Sequence, residues 1–276
     1  MQPVEVIKGD GPVVLGVPHA GTYVPEDIRD RLNATGRKLA DTDWHVDRLY
    51  SDLLPGATMV KANFHRYVID ANRDPEGVSL YPGQNTTTLC PTTDFDGRPL
   101  YRSGKDPDPA EIEARRRTWH ASYHDALLGE LERVRARHGV AILYDCHSIR
   151  SMVPYLFEGT LPDFNIGTNN GTTCDPAVEA AVVERTEAAE GYTSVLNGRF
   201  KGGWTTRHYG RPDMGFHAIQ MELAQKTHLA SEDTPFAYDT AKADALRSHL
   251  KDVLSALETL APSLAPKNHA PTGSSQ

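Results

Sequence analysis

The chain has 276 residues, of which 39% are hydrophobic and 24% are charged, a composition typical of a globular protein with a sizeable core. Its formal net charge of −8 argues against a nucleic-acid-binding protein, which needs a basic face. Its three cysteines, without a CxxC motif, argue against a disulfide framework or a cysteine zinc cluster, and they fit a reducing compartment.

The sequence also lacks the signals of a membrane or secreted protein. No apolar run approaches the ~18 residues of a membrane span, and the first residues do not combine a basic region with a long apolar one, as a signal peptide would. We therefore expect a cytoplasmic protein whose partner is a small molecule, with neither a nucleic acid nor a membrane as partner. The pattern makes no prediction of the oligomeric state.

Strand and helix patterns alternate along the chain. Residues 4–7 alternate weakly and predict an edge strand, and residues 13–17 form an apolar run that predicts a buried strand. The remaining predicted elements are helices over residues 25–32, 41–54, 109–138, 176–190 and 240–260, and strands over residues 58–62, 67–69, 140–144, 164–167, 193–196 and 219–221. This alternation predicts an α/β fold with a mixed, largely parallel sheet.

Two segments predict loops, and a third predicts a tail. Residues 76–108 are rich in Gly, Pro, Thr and Asp, and a long irregular segment of this kind tends to be functional, here as a lid or wall of a site. Residues 197–210 predict a Gly-rich basic and aromatic loop. Residues 1–261 are predicted to form a single domain, and the polar residues 262–276 are predicted to be a disordered tail.

Three of the predicted buried strands run into polar side chains. The run at residues 140–144 is followed by Asp145 and His147, His19 follows the run at residues 13–17, and Glu222 follows the run at residues 219–221. Open α/β sheets bind ligands at the carboxyl ends of their strands, so we expect these side chains to converge. Two imidazoles and a carboxylate at one point indicate a divalent metal.

The expected metal ligands are His19, His147 and one carboxylate. Asp41 and Asp43 both lie at the start of a predicted helix, where N-capping is the ordinary role. We favour Asp43 as the ligand because Asp41 lies where the cap is needed. Asp145 could instead orient a liganding histidine. Zinc is the expected metal, although nitrogen and oxygen ligands also accept Fe, Co, Ni or Mn.

The remaining candidates would supply a base and substrate contacts. Glu222 can accept a proton as a general base, and pairing with an arginine is its ordinary alternative. Arg73, beside Asn72, and Arg207, in the Gly-rich loop, can each grip a carboxylate through two parallel hydrogen bonds. The motifs GxSxG, GxxxxGK[ST] and GxGxxG are absent.

Two other arrangements are set aside. Cys146 and His147 are neighbours on a predicted strand, so they face opposite sides and cannot form a thiol dyad. His120 and His124 lie at i, i+4, but the metal-binding HExxH motif is absent, so the pattern predicts ordinary helix surface.

Several motifs together resemble the N-formylglutamate amidohydrolase family. They are PHAGTYVP, DTDWHVDRLY, RYVIDANRDP, LYPGQNTT, DCHS, NGRFKGGWTTRHYG and MELAQ, and they span residues 13–225. The resemblance implies a three-layer α/β/α sandwich of the phosphorylase/hydrolase type, like that of zinc carboxypeptidases and aspartoacylases. It also implies hydrolysis of N-formyl-L-glutamate to formate and L-glutamate, the last step of histidine degradation.

The resemblance also implies roles for individual residues. They are metal ligation by His19, Asp43 and His147, catalysis by Glu222, and carboxylate binding by Asn72 and Arg73. The wider group takes its first two ligands from HxxE, whereas Thr22 stands three residues after His19 here, so the carboxylate must come from elsewhere. The alternatives are a related N-acyl-amino-acid amidohydrolase and a non-catalytic dicarboxylate-binding protein.

Overall fold

The computed structural model describes residues 1–80 and 83–265. Its strands are β1 Val4–Ile7, β2 Val13–Val17, β3 Thr58–Ala62, β4 Ala141–Ile149, β5 Phe164–Gly167, β6 Ser194–Leu196 and β7 Phe216–Ala224. They form one sheet in the order β1-β3-β2-β4-β7-β5-β6. β1 is antiparallel to β3 and β5 is antiparallel to β7, while the other neighbours are parallel. The predicted mixed, largely parallel sheet is confirmed.

Helices cover both faces of the sheet. They are α1 Glu26–Arg29, α2 Val46–Tyr50, α3 Pro109–Arg115, α4 Ala121–His138, α5 Pro176–Glu187, α6 Trp204–Tyr209 and α7 Thr240–Leu264. A short segment of π-helix, Arg116–His120, joins α3 to α4 and is called the π turn here. α2, α5 and α7 pack on one face and α4 and α6 on the other, which confirms the three-layer α/β/α sandwich. None of the helices described combines the length and hydropathy needed to cross a membrane.

The alternation along β4 positions the site. The strand is longer than the predicted apolar run and is buried throughout. Ala141 and Leu143 belong to the core under α4, and two and four residues further along the same face come Asp145 and His147. β7 runs parallel to β4 and also turns from apolar to polar at this point, with Gln220 beside Asp145 and Glu222 beside His147. One face of the sheet therefore turns from apolar to polar towards its carboxyl edge.

Local predictions failed at two segments near this edge. Residues 66–68 form a turn and Ile69 lies outside any strand, and the buried Arg115 guanidinium donates to the carbonyls of Tyr67 and Val68, which a sheet would otherwise pair. The helix predicted over residues 41–54 forms only at Val46–Tyr50, because His45 takes a left-handed conformation with φ 61°. Neither Asp41 nor Asp43 therefore caps a helix.

Two further boundaries differ. The predicted loop 197–210 contains α6, so Arg207 lies on a helix. α7 continues through Pro262 to Leu264, so the first residues of the predicted tail are helical. Residues 266–276, with the rest of that tail, lie outside the described residues, as do residues 81–82 of the long irregular segment. The domain boundary at residue 261 stays a prediction.

Candidate metal centre and substrate pocket

The sheet edge brings together His19, Asp43 and His147, which come from the end of β2, the segment before α2, and β4. Their exposed fractions are only 2%, 1% and 2%. The two Nδ1 atoms lie 3.3 Å apart. Asp43 Oδ2 lies 3.2 Å from His147 Nδ1 and 3.7 Å from His19 Nδ1. Three potential ligand atoms therefore form a nearly equilateral triangle.

The dimensions of this triangle suit a tetrahedral first-row metal. With metal–ligand distances of about 2.1 Å, the ligand atoms of a tetrahedral site lie about 3.4 Å from one another. His19 Nε2 lies 2.7 Å from Asp70 Oδ1, so the ring proton belongs on Nε2 and the Nδ1 lone pair faces the triangle. Lone pairs that converge in this way repel one another unless a cation lies between them. The donor set therefore fits a divalent metal.

Each of the two histidines has a carboxylate next to its Nε2 atom, the ring nitrogen that does not face the triangle. Asp70 Oδ1 accepts from His19 Nε2, and Asp145 Oδ1 lies 3.1 Å from His147 Nε2, although not aligned as a hydrogen bond. Thr206 Oγ1 donates to the other oxygen of Asp145 at 2.9 Å. Carboxylates in this position fix the tautomer and the ring orientation of metal-ligating histidines. Asp145 was anticipated in this role, whereas Asp70 was missed.

Asn72 touches the same histidine from the pocket side. Its Nδ2 lies 3.1 Å from His147 Nε2, and its Oδ1 accepts from the backbone N–H of Thr205 at 2.9 Å. Nδ2 could donate only to an unprotonated Nε2, whereas Asp145 favours a proton there. We assign the proton to Nε2, because this leaves Nδ1 free for a cation. A Cβ on Gly203 would lie 2.2–2.6 Å from the Asn72 amide atoms, so this approach requires glycine.

The buried charges around the triangle are predominantly negative. The carboxylates of Asp43, Asp70 and Asp145 are buried here, together with the carboxyl group of Glu222. Arg66 is a buried cation beside them, with its NH2 2.6 Å from Asp43 Oδ1. Burial opposes ionisation of Asp43, but Arg66, His147 and His19 together outweigh burial and hold the pKa of Asp43 well below its usual range. An excess of buried negative charge is stabilised by a cation.

Glu222 lies on β7 directly beside His147 of β4. Its Oε2 accepts from Gln220 Nε2 at 3.1 Å. Burial raises the pKa of Glu222 to about 8, reinforced by Asp43 and opposed by His147 and Arg66. A carboxylate in such surroundings binds a proton readily, as a general base must.

His19, His147 and Glu222 line a pocket of about 620 Å³, measured with its open mouth. Residues of the long irregular segment, including Asn85, Thr87 and Phe95, line it, as expected for a wall of the site. Hydrophobic side chains of Leu156 and Phe200 complete the lining.

Three arginines line the pocket, and only one of them was predicted. Asn72 and Arg73 line it as expected, together with Arg66 and Arg199. Arg207 lines a neighbouring pocket with Lys201 and donates from Nε to the Gly202 carbonyl at 2.9 Å. The motif RYVIDANRDP already contained Arg66, and the Gly-rich segment contained Arg199, but only the fold shows which arginine faces the site.

His120 and His124 are not helix surface, and that prediction was wrong. Their exposed fractions are 3% and 8%. The His120 Nε2 atom lies 3.0 Å from the Arg73 carbonyl, and the His124 Nε2 atom lies 2.8 Å from the Ala71 carbonyl. Helical spacing alone could not reveal this, because a loop distant in sequence covers this part of the helix.

Comparisons with known proteins agree with this architecture. Residues 11–229 match the model of a family described as N-formylglutamate amidohydrolase. The chain is 46% identical over 252 residues to a protein named N-formylglutamate deformylase from Pseudomonas aeruginosa, covering 91% of this chain and 94% of that one. It is 45% identical over 253 residues to one of the same name from Pseudomonas putida, covering 91% and 93%.

A solved structure gives the same result. The fold matches the crystal structure of N-formylglutamate amidohydrolase from Ralstonia eutropha with a TM-score of 0.73 and 26% identity, over 93% of this chain and 97% of that one. A gene product from Agrobacterium tumefaciens shares the fold, with a TM-score of 0.72 and 22% identity, over 94% and 96%. With a family model matched over most of its length and relatives above 40% identity, this chain belongs to the N-formylglutamate amidohydrolase family.

Proposed function

We propose that this protein hydrolyses N-formyl-L-glutamate to formate and L-glutamate, as the last step of histidine degradation. The observation that carries the proposal is the buried triangle of His19, Asp43 and His147 beside Glu222, in a pocket lined by arginines. The names of the relatives supply the substrate. The free, buried cysteines support a location in the reducing cytoplasm.

We propose that His19 Nδ1, His147 Nδ1 and Asp43 Oδ2 hold a divalent metal, with zinc expected. Such an ion, when bound, acidifies water and polarises a carbonyl oxygen. The chain supplies the orientation, because Asp70 accepts from His19 Nε2 and the Asp145 carboxylate lies 3.1 Å from His147 Nε2, which favours Nδ1 as the free nitrogen of both rings. Three protein ligands are the number expected of a catalytic site rather than a structural one.

Glu222 would move the protons. One of its carboxylate oxygens takes a proton from the water that attacks the formyl carbon, and Gln220 holds the carboxylate in place. The C–N bond then breaks, and the proton held on Glu222 passes to the amine nitrogen that leaves. The immediate products are formic acid and the free amine, and transfer of the formic acid proton to the amine then gives formate and the ammonium form of L-glutamate, so atoms and charges balance. The raised pKa of Glu222 suits a group that must both take and return a proton.

Arg66 would stabilise the oxygen of the reacting formyl group. The guanidinium is buried, is anchored by Asp43 and lines the pocket. A fixed donor aimed at developing negative charge contributes strongly to such reactions.

The two substrate carboxylates would bind to different arginines. Arg73 is held by Thr87, whose carbonyl lies 3.1 Å from Nε and whose Oγ1 lies 3.0 Å from NH2. Arg199 is anchored by the Leu156 carbonyl, 3.0 Å from its Nε. We propose that Arg73, with Asn72, holds one carboxylate and Arg199 the other. Carboxylate binding by Arg207 stays a prediction. Because Arg207 lines the neighbouring pocket, its alanine variant is the matched control for the variants of Arg73 and Arg199.

Formate release from N-formyl-L-glutamate, with and without a chelator and alongside metal analysis, tests the function. We expect one metal per chain and turnover that the chelator abolishes. Turnover of N-acetyl-aspartate in place of the formyl substrate would instead indicate a related acylase. Bound metal without turnover of any N-acyl amino acid would indicate a dicarboxylate-binding protein.

Substrate recognition is tested with N-formylglutamate and N-formylglutamine on Arg73→Ala, Arg199→Ala and Arg207→Ala. Charge-assisted hydrogen bonds are each worth roughly 1.5–3 kcal/mol, so loss of a binding arginine should lower kcat/KM about 10- to 150-fold. The arginine that reads the side-chain carboxylate is the one whose loss narrows the preference for N-formylglutamate. If only Arg207→Ala narrows it, the assignment to Arg73 and Arg199 is wrong.

A further inference from the structure

Two buried histidines outside the proposed chemistry contact the segment that carries Asn72 and Arg73. His120 ends the π turn and His124 lies one helical turn later on α4. Their Nε2 atoms reach the carbonyls of Arg73 and Ala71, the residues on either side of Asn72. One helix therefore holds the backbone before and after a single side chain of the site.

The hydrogen bonds determine how these rings are protonated. A carbonyl oxygen only accepts, so each Nε2 must carry a proton. The Nδ1 of His124 can then accept from the Tyr209 hydroxyl, 3.0 Å away. Burial, and after it the neighbouring His120, lowers the pKa of His124 well below its usual value. Burial also lowers the pKa of His120, against the opposing effect of its bond to the Arg73 carbonyl.

The segment held in this way faces the pocket with both of its polar side chains. Asn72 is fixed from the opposite direction by α6, through Thr205 N–H and the close approach of Gly203. The ring of Trp204, also on α6, packs edge-on against His124 with centroids 4.7 Å apart. The π turn places His120 at the start of this contact, and such turns recur at functional sites.

We propose that His120 and His124 are positioning residues for substrate recognition, which hold Asn72 and Arg73 at the pocket through neutral imidazoles protonated on Nε2. The inference rests on the proposed function, because it assigns these histidines to carboxylate binding. It predicts that removing the Nε2 donor of either histidine weakens substrate binding more than it slows the chemical step. An ordinary core histidine would contribute only to stability.

The experiment compares His120→Leu, which has no donor, with His120→Gln, whose amide nitrogen can occupy the place of Nε2. Steady-state kinetics on N-formyl-L-glutamate would be measured with the metal-loaded proteins. We expect His120→Leu to raise KM about tenfold with a smaller change in kcat, and His120→Gln to stay within about threefold of wild type. Equal KM values for wild type and His120→Leu, or no rescue by Gln, would overturn the proposal.

A second measurement does not depend on turnover. Long-range proton–nitrogen NMR spectra of protein labelled with ¹⁵N-histidine report which ring nitrogen carries the proton. Nε2 protons on both His120 and His124 at neutral pH support the inference, and a proton on Nδ1 alone at either residue contradicts it. If wild type does not hydrolyse N-formyl-L-glutamate, the proposed function is wrong, and the NMR result alone decides whether the two histidines hold this segment.

Discussion

Two buried histidine pairs stand on either side of Asn72, and they differ in what surrounds them. The rings of His19 and His147 are 5.1 Å apart, and those of His120 and His124 are 4.3 Å apart. The first pair has carboxylates on both sides, and its Nδ1 atoms face each other. In the second pair the Nε2 atoms point to carbonyl oxygens. Only the first pair has the donor set of a metal site.

The comparison shows that a pair of buried imidazoles does not by itself indicate a metal. Burial alone would lower the pKa of His147, but Asp145, and after it Asp43, outweighs burial and raises that pKa well above its usual value. Among the described residues, no carboxylate is a main influence on His124, and burial lowers its pKa. Neighbouring carboxylates therefore decide whether a buried histidine favours its positively charged form or remains neutral.

The largest expected difference between the pairs is in metal retention. We expect His147→Ala to lose both the metal and the activity, because it removes one of three ligands. His124→Gln, the matched variant in the other pair, should retain the metal. Metal content of the two purified proteins makes the comparison. A stoichiometrically loaded, active His147→Ala protein would exclude His147 as a ligand.

Glu222→Gln separates the base from the ligands. The amide cannot accept the proton of water, and loss of a general base typically costs ~10²–10⁴-fold in rate. We expect kcat to fall by this amount while the metal content stays that of wild type. Loss of the metal would make Glu222 a ligand, and near-normal turnover would remove it from the mechanism.

The carboxylates behind the first pair should tune metal affinity. Asp70→Asn and Asp145→Asn keep the shape but weaken the orientation of His19 and His147, and changes of this type cost about 10- to 100-fold in metal affinity. Tyr209→Phe, which removes the hydroxyl behind His124, is the control and should leave the affinity unchanged. Competition with a chelator measures the metal affinity of all three variants. Unchanged affinity in both Asn variants would contradict the roles of these carboxylates.

The smallest effect concerns stability at acid pH. The pKa of His124 is lowered in the folded state, so below pH 6.5 the unfolded chain binds a proton that the folded protein does not. The free energy of unfolding therefore decreases as the pH falls, by up to about 1.4 kcal/mol per pH unit from this residue. We expect a shallower decrease for His124→Gln in denaturant unfolding at pH 7, 6 and 5. Parallel curves would show that His124 is protonated in the folded protein.

Local sequence patterns predicted much of the scaffold. The apolar runs at residues 13–17 and 164–167 predicted β2 and β5 at their observed limits. Asp175 lies directly before Pro176 and caps α5 by accepting from the Ala177 N–H, which is a local arrangement of the kind that sequence patterns report. These features depend on neighbours within a few residues, so the sequence itself contains the cause.

The site was only partly predictable for the same reason. The ends of the buried runs identified His19, His147 and Glu222, because a strand that turns from apolar to polar delivers its last side chains to the sheet edge. The choice of Asp43 over Asp41 rested on a helix cap that the structure does not contain. In the fold, Arg66 and the Ser148 N–H bind Asp43, while Tyr67 and the Phe95 N–H bind Asp41.

The sequence by itself determined the alternation of strands and helices, the side chains that end the central strands, and the motifs of the family. Tertiary structure decided that Asp70 stands behind His19, that Arg199 rather than Arg207 lines the pocket, and that His120 contacts the Arg73 carbonyl. The physical reason is distance along the chain. These contacts join residues about 50 or more positions apart or depend on which way a loop turns, whereas a local pattern reports only the residues that share one helix or strand.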